Sequence, residues 1–365
     1  MKKVFAFAMC CSLVMACSKK ASNNTNIVIE EKIDTIQGNV TKNDSIDVDQ
    51  YLCPWKNGDG KWGYIDKTGQ VVIPCQWYYA SLLIDGFARV QREKDDKYGI
   101  IDKTGKLLTP YKWNNMAPFK EGLAAVQNSE GKWGFIDIMG QEVIPCKWKD
   151  ARSFSEGLAR VVDDSVRGYS YIDKTGQVVI QCKWWAASDF HDGLALVFDD
   201  VNMQRGYIDK TGQMVIQGDW RDWRDAKDFS EGLAAIQNNE YKYGYIDTTG
   251  QLKIPHEWND GGCFYEGLAR VQDDNHKCGF IDKEGRLVIP CEWNSSNFKE
   301  GLAKVVERKM VGDQVSKMKY GIIDKTGQLV IPCEWDSIAP FYGDITIAWS
   351  GDRPFCIDKT GRVVK

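Results

Sequence analysis

From residue 51 onward, apolar positions fall in short runs that cluster or alternate, and each run closes on a turn. No stretch spaces its apolar residues at the three-and-four interval of a helix face, so the pattern predicts an all-β body. Three runs recur in a fixed order. The first, as in Lys61-Trp62-Gly63-Tyr64-Ile65, is short, aromatic and β-branched. Asp66-Lys67-Thr68-Gly69 then leads into the second, Val71-Val72-Ile73-Pro74. An Asp opening such a turn can accept bonds from its amides, and a Gly in fourth place can take positive φ, so the two runs close as a hairpin. The proline ends the second run because it cannot donate to a ladder. The third run is Phe154-Ser155-Glu156-Gly157-Leu158-Ala159-Arg160-Val161, with counterparts starting at Phe119, Phe190, Phe229, Phe264 and Phe298. Its alternation puts Ala159 and Val161 on one face, Leu158 and Arg160 on the other.

The order repeats along the chain. The string Ile-Asp-x-x-Gly occurs nine times, with structural turn aspartates at Asp66, Asp102, Asp137, Asp173, Asp209, Asp247, Asp282, Asp324 and Asp358, spaced 34 to 42 residues apart. A sustained period near 36 residues overrides the two or three domains that 365 residues would otherwise suggest. Residues 51–365 are therefore expected to form one array of about nine three-stranded antiparallel units, each contacting its neighbours. Propellers usually have about four to eight blades. Nine units thus favour an open superhelical array over a closed β-propeller.

These residues resemble the bacterial WG-repeat family. Trp62-Gly63-Tyr64-Ile65-Asp66, Trp133-Gly134-Phe135-Ile136-Asp137 and the Phe-x-Glu-Gly-Leu-Ala segments carry the likeness over nearly all of residues 51–365. Several units depart from it. Arg205, Tyr243 and Cys278 replace the Trp, Ser170 replaces the Gly, and Pro354-Phe355 replace both in the last unit. The resemblance implies a β-repeat module of exported proteins, and it implies no defined activity.

The first fifty residues read differently. Lys2 and Lys3 precede an apolar run from Val4 to Val14, which is too short to span a bilayer. It closes on Leu13-Val14-Met15-Ala16-Cys17, which resembles the bacterial lipobox, with Met15 departing from the usual small or β-branched residue. Residues 1–17 are thus expected to be a lipoprotein signal peptide with Cys17 as the lipidated residue. Residues 18–50, rich in Ser, Asn, Thr, Asp and Lys, read as a flexible tether. The expected location is the bacterial envelope, on a membrane through the lipid, with the outer membrane favoured and the body facing periplasm or exterior.

Composition narrows the chemistry. With 43% hydrophobic and 27% charged residues the chain can bury a core. A net charge of -4 without a concentrated basic face argues against a nucleic-acid partner. A calcium site needs several clustered oxygens, whereas each turn offers one Asp followed in most units by Lys, so no metal is expected. No nucleophile elbow, zinc-protease motif or phosphate loop occurs, so neither an enzyme nor a cofactor is expected. Cys75, Cys146, Cys182, Cys291 and Cys333 share one repeat slot that elsewhere holds Tyr111, Gly218 and His256, which reads as a small semi-buried position.

Trp77, Trp113, Trp148, Trp184, Trp220, Trp258, Trp293 and Trp335 recur two residues beyond that slot. They suit either a stacking ladder for sugar rings or packing opposite the first-run glycines, and their constancy favours packing. Variation concentrates in Arg89, Ala125, Arg160, Leu196, Ala235, Arg270 and Lys304, read as one exposed slot, and in a long loop over 307–319. A non-catalytic binding module follows, with a protein partner expected and a glycan or peptidoglycan as the alternative.

Overall fold

The computed structural model describes residues 52–363, apart from 67–68, 85, 95, 166, 200–203, 220–222, 312–313, 342 and 352. Cys17, the leader 1–17 and the tether 18–50 lie outside the described residues.

The third unit shows how the pattern folds. Asn115–Met116 pairs with Leu123–Gln127, which pairs with Trp133–Asp137, which pairs with Glu142–Trp148, all antiparallel. Units 2, 4, 5 and 6 repeat this four-stranded meander. The expected three strands thus gain a two-residue strand from the segment read as a connection. Unit 1 has three strands, Cys53–Lys56, Trp62–Ile65 and Val71–Trp77. Unit 9 has Ser337–Ile338, Ile345–Ser350 and Arg353–Asp358, with Val363 bridging to Ile357. Units 7 and 8 merge because one long strand, Leu287–Ser295, closes the first and opens the second.

The turns form for the reasons read from sequence. Asp102 accepts from the Thr104 amide at 2.8 Å, its hydroxyl at 2.6 Å and the Lys106 amide at 3.1 Å. Gly105 takes φ 83°. The Phe-x-Glu-Gly-Leu segment adds a second tight hairpin. Lys120 and Leu123 exchange backbone bonds of 2.9 and 3.0 Å, with Glu121 at φ 52° and Gly122 at φ 84°. Positive φ at both central residues is the type I′ turn that suits the twist of the flanking strands.

The first-run glycines make room for backbone, not for tryptophan. A Cβ on Gly134 would lie 2.5 Å from the Ile144 oxygen and 2.7 Å from the Cys146 nitrogen. Residues 145–147 leave the ladder there. They pass over Gly134, and the Cys146 sulfur comes 3.9 Å from the Val126 oxygen one strand further on. The crossing carries the chain toward the next unit.

Both faces of each sheet are covered. Ala159, Val161 and Ile172 of unit 4 pack on Phe135 and Ile144 of unit 3. Tyr171 and Leu158, also of unit 4, pack on Ala187 and Ala195 of unit 5. Eight apolar layers join successive units in this way. A ninth joins Cys53 and Ile65 of the first unit to Ala339, Ile345, Ile347 and Cys356 of the last. Nine units sharing nine layers form a closed ring, the arrangement of a β-propeller. Side-chain packing closes it, and no hydrogen-bonded barrel forms. This corrects the preference for an open array: separated ends would leave Cys53, Ile65, Ile345 and Ile347 in water, and burial of that apolar surface drives the ends together.

Candidate functional site

The repeated tryptophans belong to the framework. Trp77, Trp113, Trp148 and Trp184 are 4%, 3%, 4% and 9% exposed. Trp258, Trp293 and Trp335 are half-buried, and Trp220 lies outside the described residues. The ammonium groups of Lys112 and Lys147 sit 4.3 and 4.7 Å from the ring centroids of Trp113 and Trp148. Rings enclosed in this way offer no open stacking ladder to a sugar.

The variable slot read as exposed is also interior. Ala125 and Ala235 are fully buried, Arg89 and Arg160 nearly so, and Leu196, Arg270 and Lys304 are half-buried. Strand alternation sorted the residues correctly between two faces, but the neighbouring unit covers the second face as well. Three of the four cations bind across the joint, while Arg270 pairs with Asp260 of its own unit. Arg89 donates to the Met116 carbonyl of the next unit, and Arg160 to the Ala187 carbonyl. Lys304 reaches the Ile338 carbonyl at 3.4 Å.

A second set of joints runs through the type I′ turns. Glu121 accepts from the Gly157 amide of the next unit at 3.0 Å and pairs with Lys174 at 3.1 Å. Glu156 does the same with Gly193 at 3.0 Å and Lys210 at 3.1 Å. Glu231 pairs with Lys283 at 3.2 Å, Glu266 with Lys325 at 3.0 Å and Glu300 with Lys359 at 3.3 Å. Burial opposes ionisation of Glu266, yet the Lys325 bond and the Gly301 amide hold its carboxyl below the ordinary value. A non-glycine residue at positive φ is strained, and here the same residue bolts two units together. The signal was in the sequence. Asp85 and Asp192 replace Glu in two units, and the following units carry Ile138 and Thr248 where the others have Lys.

A polar cluster spans units 4 to 6. Arg160 donates through Nε to Asp189 at 2.7 Å. Burial raises the Asp228 carboxyl; the Ser188 hydroxyl, His191 and Arg160 oppose that rise, and Asp189 adds to it. Nothing in the sequence distinguished Asp228, because its position before Phe229 varies from unit to unit.

Cys75, Cys146 and Cys291 are half-buried and Cys333 is buried, all as thiols, while the Cys182 side chain is not described. Burial pushes Cys146 and Cys291 up to about 11, which suits packing rather than nucleophilic chemistry. Among the described residues no group of three or more His, Cys, Asp or Glu is placed to hold a metal.

The surface has two distinctive parts. The outermost strand of each unit exposes aliphatic side chains: Val71 and Val72 at 49% each, Val143 at 44%, Val179 at 46%, Val215 at 48% and Leu287 at 48%. The segment over 307–319 is not a loop. It extends the hairpin of Leu302–Val311 with Gln314–Asp324, whose register runs from Leu302↔Asp324 to Val311↔Gln314.

Four-stranded meanders packed face to face around a closed ring define a β-repeat scaffold. The chain belongs to the family described as WG containing repeat, matched over residues 62–98, 98–133, 133–165, 169–200, 206–241, 243–275, 279–309 and 320–349. No curated protein matches it. Among solved structures, BamB from Moraxella catarrhalis aligns at TM-score 0.36 and 9% identity over 62% of this chain and 80% of its own. Hsv2 of Kluyveromyces lactis aligns at 0.37 and 11% over 66% and 96%. Sqt1 of Saccharomyces cerevisiae aligns at 0.40 and 9% over 76% and 91%.

Proposed function

We propose that this protein is a non-catalytic scaffold that binds another protein, held on the bacterial envelope through lipidated Cys17. One observation supports the reading most. The described repeated tryptophans and the side chains that vary between units are buried or half-buried. The exposed large apolar side chains are mainly an aliphatic row on strand edges, with Trp185 and Tyr241 as exposed aromatics, and one hairpin is longer than its counterparts. Unpaired strand edges with apolar neighbours suit β-augmentation by an extended segment of a partner, and repeat proteins place insertions on their binding face. Enclosure of Trp77, Trp113, Trp148 and Trp184 weighs against the sugar-binding alternative, which needs a run of open rings.

The test is deletion of residues 308–318 with an Asn-Gly turn in their place, which keeps the Glu307↔Lys319 register, followed by in-cell crosslinking and identification of captured envelope proteins. At least one protein captured by the wild-type chain should be lost. An unchanged set of captured proteins would remove the hairpin from the reading. Titration with peptidoglycan fragments, read by tryptophan fluorescence, should give no saturable change, and a saturable change would restore the glycan reading.

A further inference from the structure

Eight of the nine layers are built on one rule. In each, the residue two before the turn aspartate is large: Tyr64, Ile100, Phe135, Tyr171, Tyr207, Tyr245, Phe280 and Ile322. It meets the following unit at the residue paired with that unit's turn isoleucine: Ala88, Ala124, Ala159, Ala195, Ala234, Ala269, Ala303 and Thr346. For the seven alanines, both members lie in one apolar layer. Large against small is the general solution of the joint.

The seam between unit 9 and unit 1 breaks the rule at both positions together. The large residue is replaced by Cys356, and the small one by Cys53, which pairs with Ile65 as each alanine pairs with its isoleucine. Both are buried, at 7% and 5%, in the layer that closes the ring. A cysteine is too small to fill the place of a tyrosine or phenylalanine. A small cavity also lies on the Cys53 side of this seam, lined by Cys53, Leu82, Ala339 and Ile347 among others. This seam is also the one layer without chain continuity between its two units, since about three hundred residues separate Cys53 from Cys356.

We infer that Cys53 and Cys356 form a disulfide that locks the ring at its seam. In the structure both are thiols. Bond formation removes two protons and two electrons from the pair. The oxidant is a disulfide-bearing donor, such as a thiol oxidoreductase of an oxidising compartment or oxidised glutathione. One thiolate attacks the donor disulfide and expels a donor thiol. The second cysteine then attacks the mixed disulfide and expels the other, so the donor leaves as two thiols. Burial pushes Cys53 up to about 12 and Cys356 up to about 11, so the attack belongs to an open or closing seam rather than to the sealed ring. A bond between residues so far apart restricts the unfolded chain strongly. The inference goes beyond the proposed binding role and does not depend on it.

The test uses the full chain equilibrated with an oxidised and reduced glutathione couple. Unreacted thiols are alkylated in denaturant, and the non-reduced digest is mapped by mass spectrometry. A peptide joining Cys53 to Cys356 is expected, with a melting temperature several degrees higher in oxidised than in reduced buffer. The double variant Cys53→Ala/Cys356→Phe restores the rule of the other layers, and it should fold and melt at one temperature in both buffers. Complete alkylation of both cysteines in the oxidised wild type, or pairing of either with another cysteine, would overturn the inference. So would an undiminished redox shift in the double variant.

Discussion

The layer between units 3 and 4 and the layer between units 9 and 1 do the same work with different materials. The first sets Phe135 against Phe154, with ring centroids 4.9 Å apart, and against Ala159. Glu121 bolts it to Gly157 and Lys174. The second sets Cys356 against Cys53, among Ile345 and Ile347. The difference separates what builds a unit from what closes a ring. Interior layers join segments that the chain already holds close together, so packing alone suffices. The seam must bring together two distant parts of the chain, and closing a longer loop costs more entropy.

The sharpest break of this comparison is a pair of truncations measured by thermal and denaturant melting under reducing conditions. Phe135→Ala removes a fully buried ring and should cost about 3–5 kcal/mol. Cys356→Ala removes one sulfur from a place already held by a small side chain and should cost about 1 kcal/mol. Equal losses would show that the seam is packed like the interior.

The crossing glycine distinguishes the same two places with opposite signs. Gly134→Ala forces a Cβ onto backbone that cannot swing aside, and should cost about 1–3 kcal/mol. In unit 9 the corresponding residue is Phe355, whose ring lies 5.7 Å from that of Trp335, and the described chain has no segment crossing it. There Phe355→Gly should be the destabilising change, by about 2 kcal/mol for a half-buried ring. Stabilisation by either substitution would refute the crossing as the reason for the glycine.

The repeat, the strands and the turns were legible because each rests on local chemistry that recurs nine times: an aspartate over its own turn amides, a glycine at positive φ, a proline ending a run. Closure was not legible from unit count, because it depends on whether two end faces fit. It was written instead in the coincident change of Cys53 and Cys356, visible only once both positions are placed in register. The variable slot misled for a related reason. Alternation along a strand separates two faces, but it does not say which face meets water. Arg160 looked like a surface residue, yet its guanidinium is held by the Ala187 carbonyl and Asp189. The Glu-to-Lys joints could have been found by comparing units, since Asp192 and Thr248 change together.

The smallest expected effect contrasts two kinds of aspartate, those that build each unit and the one between units 4 and 6. The Thr175 hydroxyl, then the turn amides, hold the half-buried Asp173 carboxyl below its ordinary value, and Asp102, Asp209, Asp324 and Asp358 share that arrangement. A depressed folded value means that their contribution is present above the unfolded value of about 3.9 and fades as pH falls through the lower folded values. Asp228 is raised by burial, so its contribution has the other sign: it opposes folding while ionised, and acidification relieves that cost. Melting from pH 7 to pH 3 should therefore show Asp173→Asn less stable than the parent at pH 7, with the gap narrowing toward pH 3. Asp228→Asn should match or exceed the parent at pH 7 and lose that advantage on acidification. If both variants move in the same direction with pH, the two carboxyls are not held in opposed environments, and the cluster between units 4 and 6 is ordinary solvated surface.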